Sequence, residues 1–146
     1  MTEQNIKNYQ DLEVYKIAFD TAMEIFELSK NFPLSERFAL NDSDIEESLP
    51  NIPLSQQIRC SSRCVCTNLA GAWYKRMDET AFISKLNDCM SWVAQTRILL
   101  EFAVEYDYLD EVKGREIGET YNLIEDALIS MIDNSNKWII ASNSNN

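Results

Sequence analysis

The chain has 146 residues and a formal net charge of −11 at neutral pH, and it contains no histidine. This length is typical of one domain, and the negative charge opposes non-specific binding to nucleic acid or to an anionic membrane. The absence of histidine removes the commonest general base and a common metal ligand. With only three glycines and three prolines, few residues interrupt helices, so the composition favours an all-α fold.

The sequence also lacks the patterns that direct a protein into a membrane. The N-terminal segment MTEQNIKNYQ is polar, and no apolar run approaches the roughly 18 residues of a membrane span. We therefore expect a cytoplasmic protein without membrane contact, whose four cysteines are reduced.

Apolar residues recur at steps of three and four along the first predicted helix, which runs from residue 11 to residue 30. Pro33 restricts the residue before it and has no N–H to donate, so the helix is expected to end there. This spacing predicts a buried face formed by Leu12, Tyr15, Phe19, Ala22 and Phe26.

Residues 34–53 break this periodicity. The stretch NDSDIEESLPNIP contains four acids and two prolines and predicts an acidic loop inserted at about 41–53, with one short helical turn at 44–48. Loops of this length are mobile or functional, and we interpret this one as a solvated insertion.

Three further amphipathic helices follow. The second helix of the chain covers about 54–77, and the third and fourth are capped by Asp78 and Asp110. The polar tail at about 141–146 is expected to be disordered. Short connections predict one domain over residues 1–146, an antiparallel up-down-up-down four-helix bundle. The predicted buried faces are Leu54, Ile58, Ser61, Val65, Leu69 and Ala72, then Phe82, Leu86, Cys89, Val93, Thr96, Leu100 and Ala103, then Ile117, Tyr121, Ile124, Leu128 and Met131.

The second predicted helix carries the one basic segment of an acidic chain. It contains Arg59, Arg63, Lys75 and Arg76 and no acid. These residues are candidate contacts for nucleic-acid phosphates, or for acids of a neighbouring helix or subunit. Four charges are a small footprint against the net charge, so nucleic acid is disfavoured as a partner.

Two large aromatics, Trp73 and Tyr74, follow a run of small residues at the end of that helix. Because Trp and Tyr are enriched at binding hot spots, they are candidate anchors for a protein partner. Packing in the core is the preferred interpretation.

The second helix also holds Cys60, Cys64 and Cys66, and Cys89 follows in the third. Cys66 points about 200° away from Cys64 around the helix, so a zinc site would need Cys60, Cys64, Cys89 and an acid. Core packing is preferred, because free cysteine behaves as a small hydrophobe. A metal or redox module remains an alternative, and no cofactor is expected.

Two segments of the sequence follow recurrent motifs. The first has an aromatic, then D-L-x-V-[WY], then F-P-x-x-E-R-[YF]-x-L; the second is similar to a Q-I-R-R-A-A-V-S-I-P-x-N-I-A-E-G run. The matching residues are Tyr9, Asp11, Leu12, Val14, Tyr15, Phe32, Pro33, Glu36, Arg37, Phe38 and Leu40, then Gln57, Ile58, Arg59, Asn68 and Ala70, and a later turn at Tyr106–Leu109. In these motifs the chain resembles the bacterial 23S rRNA-intervening-sequence proteins.

The resemblance covers about residues 9–139, and the chain departs from the family pattern at the 41–53 insertion and at Cys60, Cys66 and Gly71. It implies a small helical bundle that forms oligomers, often pentameric rings. Distant relatives are retroelement accessory proteins that contact a reverse transcriptase and nucleic acid.

No nucleophile–base pair, phosphate loop or metal motif is present in the sequence, and the resemblance transfers no catalytic residue. We therefore predict a protein that is not an enzyme. The preferred function is that of a homo-oligomeric scaffold or adaptor, with a pentamer as the leading expectation. The alternatives are a nucleic-acid-binding accessory factor that uses the basic second helix, and the cysteine module.

Overall fold

The computed structural model describes residues 5–36 and 52–140, and within them all regular secondary structure is helical. The all-α prediction is therefore confirmed. The 41–53 insertion, except for Ile52 and Pro53, and the 141–146 tail lie outside the described residues. The helices are α1 Glu13–Ser29, α2 Leu54–Trp73, α3 Glu79–Glu105, α4 Glu111–Asp133 and the short α5 Ser135–Trp138, with single 3-10 turns at Tyr9–Asp11 and Leu34–Glu36.

Two aspartates begin the third and fourth helices, as the sequence predicts. The Asp78 carboxylate accepts a hydrogen bond from the Ala81 N–H at 3.2 Å, and Asp110 accepts one from the Lys113 N–H at 3.2 Å. These bonds satisfy N–H groups that have no partner inside a helix.

The second helix ends four residues earlier than predicted, at Trp73 rather than residue 77. The extended backbone of Asp78, with φ of −129°, caps α3, so the preceding residues must form the turn. Lys75 and Arg76 consequently lie in this turn and not on the helical face of Arg59 and Arg63.

The predicted buried faces of α2, α3 and α4 are confirmed residue by residue. Of the face predicted for the first helix, only Leu12 is buried as predicted. The rest of the prediction is wrong: Phe19 and Phe26 are exposed, and Tyr15 and Ala22 are only half-buried. Small side chains on another stripe allow α1 to approach its neighbours closely, which leaves the bulky aromatics at the edge of the contact. The buried residues of α1 are Val14, Ala18, Thr21, Ile25 and Ser29.

Each of the four long helices packs against two others. Two hydrogen bonds join α3 to α2. The Thr96 hydroxyl donates to Ser61 Oγ at 2.8 Å, and the Cys89 thiol donates to the Val65 carbonyl at 3.7 Å. Residue numbers thus rise along one helix as they fall along the other. Helices α1 and α2 share one seam, and α3 and α4 share another. These two seams have no helix in common.

None of the helices in the described residues combines the length and the hydropathy needed to cross a membrane.

Candidate functional site

An apolar groove of about 490 Å³ runs along the seam between α1 and α2. We call it the aromatic groove. Phe19, Met23 and Phe26 are 47%, 49% and 37% exposed there. These are large apolar side chains that the fold of the single chain leaves partly in water. The groove is lined by Tyr9, Tyr15, Phe19, Ala22, Met23, Phe26, Arg59, Arg63, Cys66, Thr67 and Ala70.

Aromatic contacts order one wall of this groove. The rings of Tyr15 and Phe19 are stacked with centroids 6.1 Å apart, and Tyr9 meets Tyr15 edge to face at 5.1 Å. Tyr9 also contacts Tyr74 at 6.2 Å. Such pairs contribute beyond the area they bury, so the wall is a preformed surface.

Arg59 is held in place at the rim of the groove. Its guanidinium lies 4.6 Å from the centroid of the Phe26 ring, and its Nε donates a 2.7 Å hydrogen bond to Ser29 Oγ. The Ser29 hydroxyl in turn donates to the Phe26 carbonyl at 2.8 Å. The arginine side chain is thus oriented by α1.

Among the described residues, neither Arg59 nor Arg63 has a carboxylate within 4.0 Å. No acid of the described part of the chain lines the aromatic groove either. The groove therefore combines an apolar floor with positive charge at its rim. This combination suits a partner that carries both apolar side chains and negative charge.

The other predicted site residues do not join this pair. The Arg76 guanidinium stacks on Trp73, 3.4 Å from the ring centroid, and burial lowers the pKa of Arg76. Trp73 is only 7% exposed, so its core interpretation is confirmed. The core interpretation is wrong for Tyr74, which is 74% exposed beside the groove because α2 ends at Trp73 and Tyr74 lies in the turn. Lys75 is exposed in the same turn. The structure thus separates Lys75 and Arg76 from Arg59 and Arg63.

The four cysteines are free and lie in different environments. Cys66 and Cys89 are buried, and burial raises their pKa to about 11 and about 12 respectively. Both are therefore neutral thiols at physiological pH. Cys60 is exposed, and its sulfur lies 4.0 Å from that of Cys64. Across the described residues, no three cysteine or acidic side chains are grouped as metal ligands.

A second groove, of about 500 Å³, follows the seam between α3 and α4. We call it the acidic groove. Its two arginines are already paired: Arg97 with Glu125 and Asn122, and Arg115 with Glu111 at 3.3 Å. The acidic groove is lined by Arg97, Leu100, Glu101, Val104, Glu105, Glu111, Gly114, Arg115, Gly118, Glu119 and Asn122.

The arginines of the aromatic groove are evident from the sequence, but its aromatic wall is not. The helical spacing of Phe19 and Phe26 predicts that they lie in the core. A signal was present in the sequence: Val14, Ala18, Thr21 and Ile25 form a second stripe at the same spacing. A helix with two such stripes has more apolar surface than one core contact requires.

The described residues are thus those of a small all-helical protein, and its surface carries two grooves of opposite charge. The chain belongs to the 23S rRNA-intervening sequence protein family, whose sequence profile matches residues 10–130.

A protein of unknown function from the S23 ribosomal protein family of Bacteroides thetaiotaomicron has a similar crystal structure. The TM-score is 0.63 at 23% identity, over 82% of this chain and 97% of that chain. At this identity the similarity shows the fold alone. No curated protein matches the chain.

Proposed function

We propose that this protein is a cytoplasmic, non-catalytic scaffold or adaptor that assembles as a homo-oligomer through its aromatic groove. In this proposal the chain is one domain, an antiparallel up-down-up-down bundle, and a pentamer is the leading expectation. The observation that carries the proposal is the groove itself: Phe19, Met23 and Phe26 are partly exposed beside Arg59 and Arg63, which have no carboxylate partner among the described residues.

The acidic groove supplies a complementary surface on a second copy of the chain. It lies on the seam between α3 and α4, which shares no helix with the seam between α1 and α2. A contact between two different faces is heterologous, and repetition of such a contact closes into a ring when the rotation permits. Complementary charge would set the register of the contact, and the apolar wall would supply most of its stability.

Light scattering at micromolar concentration tests the assembly. We expect a mass several times 16.9 kDa, with five times as the leading value. Phe19→Glu/Met23→Glu places two negative charges in the groove and should reduce the mass to that of the monomer. Met77→Glu is the matched control, because Met77 is 69% exposed and lies outside the groove. A monomeric parent protein would overturn the proposal.

The role of charge is tested separately. Arg59→Glu/Arg63→Glu should weaken the assembly, because it sets negative charge against the acidic groove of the next copy. Added salt should weaken the parent assembly, because exposed charges are screened over about 8 Å at physiological ionic strength. Lys137→Glu changes the charge elsewhere on the exposed surface and should leave the mass unaltered. If both variants assemble like the parent, the apolar wall alone drives association.

Arg59 and Arg63, which have no carboxylate partner among the residues that the structure describes, also support the nucleic-acid alternative. A factor that contacts phosphates through Arg59 and Arg63 would bind single-stranded RNA, and its affinity would fall as salt is added. With a net charge of −11 we expect weak binding at physiological salt. Sub-micromolar binding that is lost in Arg59→Ala/Arg63→Ala would instead favour the accessory-factor function.

A further inference from the structure

We propose that Cys60 and Cys64 form a two-sulfur site for a soft, thiophilic ion, Cu(I). The site lies on the outer side of α2 and does not rest on the function proposed above. Cys60 is exposed, Cys64 is half-buried, and their sulfur atoms are 4.0 Å apart. An ion can therefore reach both sulfurs without any unfolding of the helix.

The distance between the sulfurs fits a bridging ion better than a disulfide. With metal–sulfur bonds of about 2.3 Å, two sulfurs on one ion are separated by roughly 3.8 Å in tetrahedral and 4.6 Å in linear coordination. The observed 4.0 Å is about 0.6 Å short of the linear arrangement, a gap that rotation of the exposed Cys60 side chain can close. A disulfide needs its Cβ atoms about 3.5–4.5 Å apart, but residues one helical turn apart hold them at about 5–6 Å.

The coordination number selects the ion. Structural zinc takes four ligands, but within residues 5–36 and 52–140 no third cysteine or acid joins this pair. Cys89, which the sequence offered as a third ligand, is buried and donates to the Val65 carbonyl. Thiolates are soft ligands that select Cu(I), zinc and iron–sulfur clusters, and of these only Cu(I) is satisfied by two sulfurs.

Binding involves two Cu–S bonds and the release of two thiol protons, with no change of oxidation state. Burial raises the pKa of Cys64, and the neighbouring Cys60 adds to this effect. Because thiol protons must leave, the apparent affinity should increase with pH.

The test is an anaerobic competition for Cu(I) between the purified protein and bicinchoninate, whose copper complex is coloured. We expect the parent protein to withdraw one copper per chain, and Cys60→Ser and Cys64→Ser each to lose that equivalent. Equal uptake by the parent and both variants would overturn the site, because the copper would then be held by other groups.

A matched control keeps the number of thiols constant. Gln56→Cys/Cys60→Ser moves one exposed thiol along α2, to about 12 Å from Cys64 along the helix axis. This variant should lose the copper equivalent although it still has four cysteines. Zinc binding is measured in the same way. Tight binding of one zinc per two chains would contradict the two-sulfur site, because it would indicate a four-cysteine site shared between two copies.

Discussion

A Cβ atom on Gly114 would lie closer than 3.0 Å to Cγ2 of Val104, a separation that real Cβ atoms essentially never show. Glycine at this position therefore sets how closely the start of α4 approaches the end of α3. Four residues further along α4, a Cβ atom on Gly118 would meet nothing within 4 Å. The two glycines thus have different structural roles, although they lie about one turn apart on the same face of α4.

This difference gives the first prediction. Gly114→Ala should lower the free energy of unfolding by about 1–3 kcal/mol through overpacking. Gly118→Ala should raise it by up to about 1 kcal/mol, because alanine is the better helix former. Urea denaturation of the two variants measures both changes. A destabilising Gly118→Ala would indicate that a partner chain occupies the acidic groove at that residue.

A second prediction concerns the hydroxyl group of Tyr121. The side chain is 0% exposed, and its hydroxyl has no hydrogen-bond partner among the described residues. An unsatisfied buried polar group costs about 1–3 kcal/mol. Tyr121→Phe removes the hydroxyl and keeps the ring, so the melting temperature should rise. A loss of stability would mean that the hydroxyl has a partner, such as an internal water.

The turn between α3 and α4 gives a third prediction. Asp107 has a φ of 60°, in the left-handed region that glycine adopts without strain. Asp107→Gly should stabilise the protein by up to about 1 kcal/mol. Asp107→Ala is the control and should give no gain, because it retains a Cβ atom and loses the local polar group. Thermal unfolding of both variants distinguishes relief of strain from a change in charge.

The buried thiols predict how stability depends on pH. The pKa of Cys66 rises from 9.0 to about 11 and that of Cys89 from 9.0 to about 12 on folding. Between these values the native state keeps protons that the unfolded chain releases. Below a pH of about 9 these thiols therefore leave the free energy of unfolding unchanged, and it falls as the pH rises towards 11. Each thiol should contribute on the order of 2 kcal/mol to that loss.

Urea denaturation between pH 8 and 11 measures the slope, and Cys66→Ala should reduce it. Tyr121→Phe should reduce it further above pH 10, since burial also raises the pKa of Tyr121. Thiol alkylation provides an independent check: Cys60 should react in the folded protein, whereas Cys66 and Cys89 should react only on unfolding. Rapid alkylation of Cys89 in the native state would contradict its burial.

The sequence by itself determined the fold class, the family and most of the core. Seven predicted residues of α3, from Phe82 to Ala103, are all buried, because their alternating steps of four and three place them along one face of the helix. Asp78 and Asp110 marked helix starts because their hydrogen bonds are local. The position of Arg59 and Arg63 on one face of α2 was also predictable, since residues four apart share a helical face.

Only the tertiary structure decided the orientation of α1 and hence the aromatic groove. Two apolar stripes compete on that helix, and local spacing does not distinguish them. Ala18, Thr21 and Ser29 are buried because small side chains permit close packing, and Phe19 and Phe26 are left at the surface. The same holds for Lys75 and Arg76, since the position at which α2 ends depends on how the chain turns into α3. Where a helix offers two competing stripes, the packing of the whole molecule decides which one is buried, because only the neighbouring helices distinguish the two.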